Sequence, residues 1–75
     1  MNPQEIPLKR IRLDLGKARA ALAREADIDV KTLVAIETGT RLGSEVTRGK
    51  IKRTVNRLRG AGDPLDDEDI FGTGS

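Results

Sequence analysis

Cysteine and histidine are both absent from these 75 residues. No disulfide can staple the fold, no thiol can act as a nucleophile, and neither a Cys/His zinc site nor a histidine general base can be assembled. Phe71 is the only aromatic residue. Single-stranded nucleic acid is bound largely by stacking bases on aromatic rings, so any nucleic-acid partner of the basic body is expected to be a duplex. No apolar run approaches the ~20 residues that span a bilayer, and no signal-peptide pattern is visible. A P-loop and a Gly-x-Ser-x-Gly elbow are missing too, and the Asp66–Asp69 run lacks the spacing and turn glycine of a calcium loop. The chain is therefore expected to be no enzyme, with no metal, cofactor, small-molecule ligand or membrane partner.

What is present is charge, and it is divided. All fourteen Lys and Arg fall between Lys9 and Arg59, together with or preceded by seven acids, so the body carries +7. Asp63, Asp66, Asp67, Glu68 and Asp69 give the remainder −5. A basic body suggests a polyanion partner; an ordinary solvated surface has the same composition. The length permits one small domain, which buries only about 60% of the surface its unfolded chain exposes.

The apolar spacing predicts an all-α chain of four helices, with room for a fifth. Residues 1–6 read as a flexible lead-in. Pro7 suits a first helical turn, Leu8, Ile11 and Leu15 make one stripe, and Gly16 stops the helix. KARAALAREA, from Lys17 to Ala26, is built of strong helix formers, with Leu22 and Ala26 as a thin buried face. Asp27-Ile28-Asp29 reads as a turn: Asp27 tolerates left-handed backbone, Ile28 points inward, and Asp29 caps a third helix from Val30 to about Thr38.

On that third helix Leu33 and Ile36 share the buried side, with Lys31, Ala35 and Thr38 roughly opposite and Val34 at the margin. Glu37 falls near the buried side, where a carboxylate needs a partner. After a loop over residues 39–43, Ser44 is placed to cap a fourth helix, Glu45 to Arg59, striped by Ile51, Val55 and Leu58. Gly49 weakens its first half, which leaves open a start nearer Lys50. Residues 7–60 thus form the domain, and residues 61–75 read as an acidic disordered tail. A small docking motif of Leu65, Ile70 and Phe71 is the other reading of that tail.

Taken together, Leu8 through Gly16, Leu22-Ala23, Ala26, Ile28, Thr32-Leu33 and Ile36-Glu37-x-Gly39-x-Arg41 resemble the phage repressor and Cro type of helix-turn-helix protein, the XRE-like family. The resemblance covers about residues 8–59 and implies a lambda-repressor-like domain. It implies a sequence-specific DNA-binding transcriptional regulator, a repressor, Cro-like or excision-control protein of a phage or mobile element, in the bacterial or phage-infected cytoplasm. It implies a partner for Glu37 as well: Arg12 of the first helix, in a structural clamp, where the alternative is that both charges are merely solvated. Three departures stand out: Asp27 where the family has glycine, Ala18 where a capping Ser or Thr is expected, and a recognition helix poor in Gln, Asn and Arg.

The same resemblance puts the 30–38 helix into a major groove. Lys31 is then placed to donate to guanine, Val30, Val34 and Ala35 to touch thymine methyls, and Thr38 to reach a base or phosphate. Arg41 and Lys50 become phosphate candidates, and Arg19 is placed to meet a phosphate or a flanking base. For Val30 and Val34, dimer or core packing is the competing reading. Family members commonly bind double-stranded DNA as homodimers on pseudo-palindromic sites. The competing function is a protein-interaction module on the same fold, an antitoxin or antirepressor.

Overall fold

The computed structural model describes residues 6–60 and 62–72. Among them are five helices and no strand: α1 (Pro7–Asp14), α2 (Arg19–Ala26), α3 (Val30–Glu37), α4 (Glu45–Arg59) and α5 (Asp67–Phe71). They form a compact globule of 30 × 24 × 23 Å. None is long and apolar enough to cross a membrane.

Each helix starts where local chemistry allows it. Pro7 opens α1 without wasting a donor. Asp29 caps α3 by accepting the Lys31 backbone N–H at 2.9 Å, and Ser44 Oγ caps α4 by accepting that of Thr47 at 3.1 Å. This cap carries α4 through Gly49, so the later start near Lys50 is not what forms. By contrast, α2 begins at Ala18 with no side-chain cap and no acid in its first turn.

The first three helices end alike. Gly16, Asp27 and Gly39 all adopt positive φ, at 71°, 59° and 80°. One residue further on, the N–H groups of Lys17, Ile28 and Thr40 reach back to the carbonyls of Arg12, Ala23 and Ala35 at 3.2, 2.9 and 2.9 Å. This is the six-to-one bond of a Schellman ending, which satisfies carbonyls the helix leaves open. Asp27 performs with a Cβ what glycine performs at the other two corners.

The core gathers Leu8 of α1, Leu22, Ala23 and Ala26 of α2, Leu33 and Ile36 of α3, Ile51 and Val55 of α4, and Ile70 and Phe71 of α5. Each large member contributes about 1.5–3 kcal/mol by leaving water. The alanines let α2 lie close to both α3 and α4, against which it packs.

The disordered tail expected over residues 61–75 is overturned for residues 62–72, which also moves the end of the domain beyond residue 60. Ile70 is fully buried and Phe71 nearly so, and α5 packs on α1 and α4. The intervening chain is held by Asn56 of α4. Its amide nitrogen donates to the Leu65 carbonyl at 3.1 Å and its amide oxygen accepts the Leu65 N–H at 2.8 Å. Asp69 Oδ2 accepts the Asp66 N–H at 2.9 Å, and Asp67 lies 3.4 Å from Lys52. Average composition hides two well-placed apolar side chains and acids that serve as caps and ion pairs. The expected lead-in over residues 1–6 falls mostly outside the described residues; Ile6 itself packs against the core.

Candidate nucleic-acid interface

The expected partner of Glu37 is in place. Its carboxylate is 1% exposed, and Arg12 grips it twice, Nε to Oε2 at 2.7 Å and Nη2 to Oε1 at 3.2 Å. The remaining Arg12 nitrogen, Nη1, donates to the Lys17 carbonyl at 2.8 Å. One guanidinium therefore ties the last turn of α3 to α1 and to the α1–α2 loop. Arg19 joins from the first turn of α2, its Nε donating to Glu37 Oε1 at 3.2 Å while its side chain stays 42% exposed. Charge-assisted, forked contacts of this kind fix orientation as well as energy.

Two residues of α4 hold the other approaches to α3. Lys50 Nζ donates to the Asp27 carbonyl at 3.2 Å and lies 3.6 Å from its carboxylate, which pins the α2–α3 turn. Arg48 Nη1 donates to the Gly43 and Leu42 carbonyls at 2.5 and 3.4 Å, which pins the α3–α4 loop. Gly43 has φ +82°, and a Cβ there would meet Ile36 Cδ1 at 2.9 Å. Only glycine lets this loop lie against α3 without displacing a core side chain.

The outer face of α3 has fewer internal duties. Val30, Lys31 and Thr38 are exposed; Thr32, Val34 and Ala35 are half-buried. Val30 and Val34 are not members of the core cluster, so core packing does not explain them. Asp29, Lys31, Thr32, Ala35 and Arg41 line a shallow hollow, which brings together three of the expected contact residues. Thr32 is an addition to this hollow: its place beside Leu33 reads in sequence as architecture, and nothing in the spacing singles it out.

Thr38 is exposed, but its hydroxyl is engaged within its own helix end. Its hydroxyl lies 3.0 Å from the Val34 carbonyl, 3.3 Å from that of Ala35 and 3.1 Å from Thr40 Oγ1. A threonine hydroxyl has one proton to donate, and here carbonyls of its own helix compete for it. Lys50 is likewise engaged at the turn, whereas Arg41 is exposed.

Electrostatically the ends of the helices differ. The Asp29 carboxylate offsets the positive end of the α3 dipole, and Glu45 sits in the first turn of α4. The first turn of α2 carries no acid of its own and holds Arg19, whose Nε meets the Glu37 carboxylate from α3. On the α2–α4 side Glu25 meets Lys17 at 2.8 Å and Arg57 at 3.8 Å. The Lys17 hydrogen bond, with the charges of Lys17 and Arg57, holds its carboxyl below the ordinary value of 4.5 against an opposing burial effect.

No family model, curated protein or solved structure matches this chain.

Proposed function

We propose that this chain is a sequence-specific double-stranded DNA-binding regulator built on a helix-turn-helix domain of the repressor and Cro type. In this reading α2, the Asp27 turn and α3 form the motif, and α3 enters the major groove. The observation that carries it is that α3 is fixed at both ends, by Arg12 and Arg19 on Glu37 and by Lys50 on Asp27, while Val30, Lys31 and Thr38 face solvent. A helix held this firmly, in a basic body, suits a rigid probe of a polyanionic groove.

Arg19 and Arg41 contact phosphates flanking α3, and Lys31 donates to a base edge. Arg19 is set for this by Glu37, which orients the guanidinium before DNA arrives. Two copies sit on a pseudo-palindromic site, one per half-site. Selection of bound duplexes from a randomised pool tests the reading. An enriched motif with internal symmetry is expected, and recovery of unselected sequence would refute it.

A second reading has its own support. Leu42 and Val46, in and just after the α3–α4 loop, are 67% and 68% exposed. A protein-interaction module, such as an antitoxin or antirepressor, would use these side chains with Val30. In that case Lys31→Ala and Arg19→Ala leave partner binding intact, whereas Leu42→Ser abolishes it.

A further inference from the structure

Given a DNA-binding α3, the chemistry of its outer face restricts what it can read. Paired hydrogen bonding to adenine takes Asn or Gln, and to guanine Arg or Lys. Between Val30 and Glu37 there is no Asn, Gln or Arg. The Thr38 proton is contested by the Val34 and Ala35 carbonyls, and Asp29 Oδ1 is taken by the Lys31 backbone N–H. Lys31, the half-buried Thr32, the second Asp29 carboxylate oxygen and the acceptor side of the Thr38 hydroxyl are left as hydrogen-bonding groups, and among them only Lys31 is a side chain suited to guanine and none is one that pairs with adenine. Beside them stand Val30, 39% exposed, with Val34 one turn on along the same side and Ala35 in the hollow next to Arg41.

An apolar surface in a major groove has one apolar base feature to meet, the C5 methyl of thymine. We infer that this protein selects its duplex chiefly by thymine methyls, packed against Val30, Val34 and Ala35, with Lys31 fixing register on a neighbouring base. The inference rests on the DNA-binding reading and names its ligand: a major groove with methyls clustered at the α3 contact positions. The methyl itself is the recognised group, so 5-methylcytosine, which carries it at the same ring position, substitutes for thymine there. A·T content as such does not matter.

The test uses the full chain and the duplex recovered by selection from a randomised pool. Each contacted thymine is replaced by uracil, which deletes the methyl and leaves every hydrogen-bonding group. Affinity is expected to fall about fourfold per methyl, the effect of removing one buried methyl group. Replacing that A·T pair by G·C weakens binding, and by G·5-methylcytosine restores it. In Val30→Ala and Val34→Ala proteins, checked for unchanged melting, the uracil penalty shrinks at the matching positions. Equal affinity for thymine and uracil duplexes would overturn the methyl inference and leave DNA binding standing. If no duplex is enriched or bound, the DNA-binding reading itself fails.

Discussion

Arg19 Nε donates to Glu37 Oε1 across 3.2 Å, so a half-exposed cation of α2 leans on a carboxylate that is 1% exposed at the end of α3. Arg12 holds the other side of the same carboxylate at 2.7 Å. The two arginines are unequal: Arg12 is buried and depends on Glu37, whereas Arg19 can find water. Glu37→Ala is therefore expected to destabilise the fold by about 3–5 kcal/mol, because it strands a buried guanidinium. Arg19→Ala should cost no more than about 1 kcal/mol. Replacing the inner pair together, Arg12→Met with Glu37→Leu, should cost less than Glu37→Ala alone. Urea denaturation of the wild type and these variants measures all three effects, and a Glu37→Ala midpoint equal to wild type would remove the clamp.

The Asp27 corner offers a gain. Gly16 and Gly39 close α1 and α3 with positive φ, and Asp27 does the same at φ 59°. Glycine has no Cβ penalty in this conformation. The ion pair between Lys50 and the exposed Asp27 carboxylate, at 3.6 Å, is worth little, and the Lys50 bond to the Asp27 carbonyl does not need that side chain. Asp27→Gly is expected to raise stability by up to about 1 kcal/mol, and Asp27→Val to lower it. Thermal melting decides, and a lower melting temperature for the glycine variant would contradict the assignment.

The acidic C-terminal segment is part of the fold. Ile70→Ala is expected to cost about 2–5 kcal/mol and Phe71→Ala about 3–5 kcal/mol, as for large core side chains elsewhere. In a domain this small either substitution can abolish cooperative unfolding. Melting curves indistinguishable from wild type would instead mean that α5 contributes nothing to the packed core.

Glu25 makes stability depend on acid pH. Its folded-state pKa lies below 4.5, chiefly through the Lys17 hydrogen bond, so as pH falls the unfolded chain takes up the proton first. Its stabilising contribution is present above pH 4.5 and is lost as pH falls through the folded value. Glu25→Gln should melt below wild type at neutral pH, and the difference should close in more acidic solution. A gap that widened with acid would have the wrong sign.

Most of the helical order is legible in residues with local consequences. Pro7, Asp29 and Ser44 mark starts, and Gly16 and Gly39 mark stops, because each acts on the backbone beside it. The Glu37–Arg12 contact is reachable from sequence only because a buried carboxylate requires a partner and the resemblance to repressor-type sequences suggests one. The jobs of Arg19, Arg48 and Lys50 are not legible. A long cation on an exposed turn looks the same in sequence whether it meets phosphate, a carbonyl or water. For Thr38, spacing gives the exposed direction and not the Val34 and Ala35 carbonyls competing for its proton. The α5 segment misleads through averaging: Ile70 and Phe71 are two apolar residues among many polar ones, and part of what they bury against lies at the other end of the chain, on α1.

Equilibrium binding of the selected duplex at several salt concentrations, for wild type, Lys31→Ala and Arg19→Ala, tests DNA recognition most directly. Wild type should bind tightly at low salt, with log affinity falling by about 0.9 per log unit of salt for each phosphate neutralised. Arg19→Ala should flatten that slope by about one such increment while its melting temperature stays near wild type. Lys31→Ala should relax preference at one base position. Absence of duplex binding at low salt, or a slope and preference unchanged in both variants, would contradict the assignment of α3 and Arg19 to DNA.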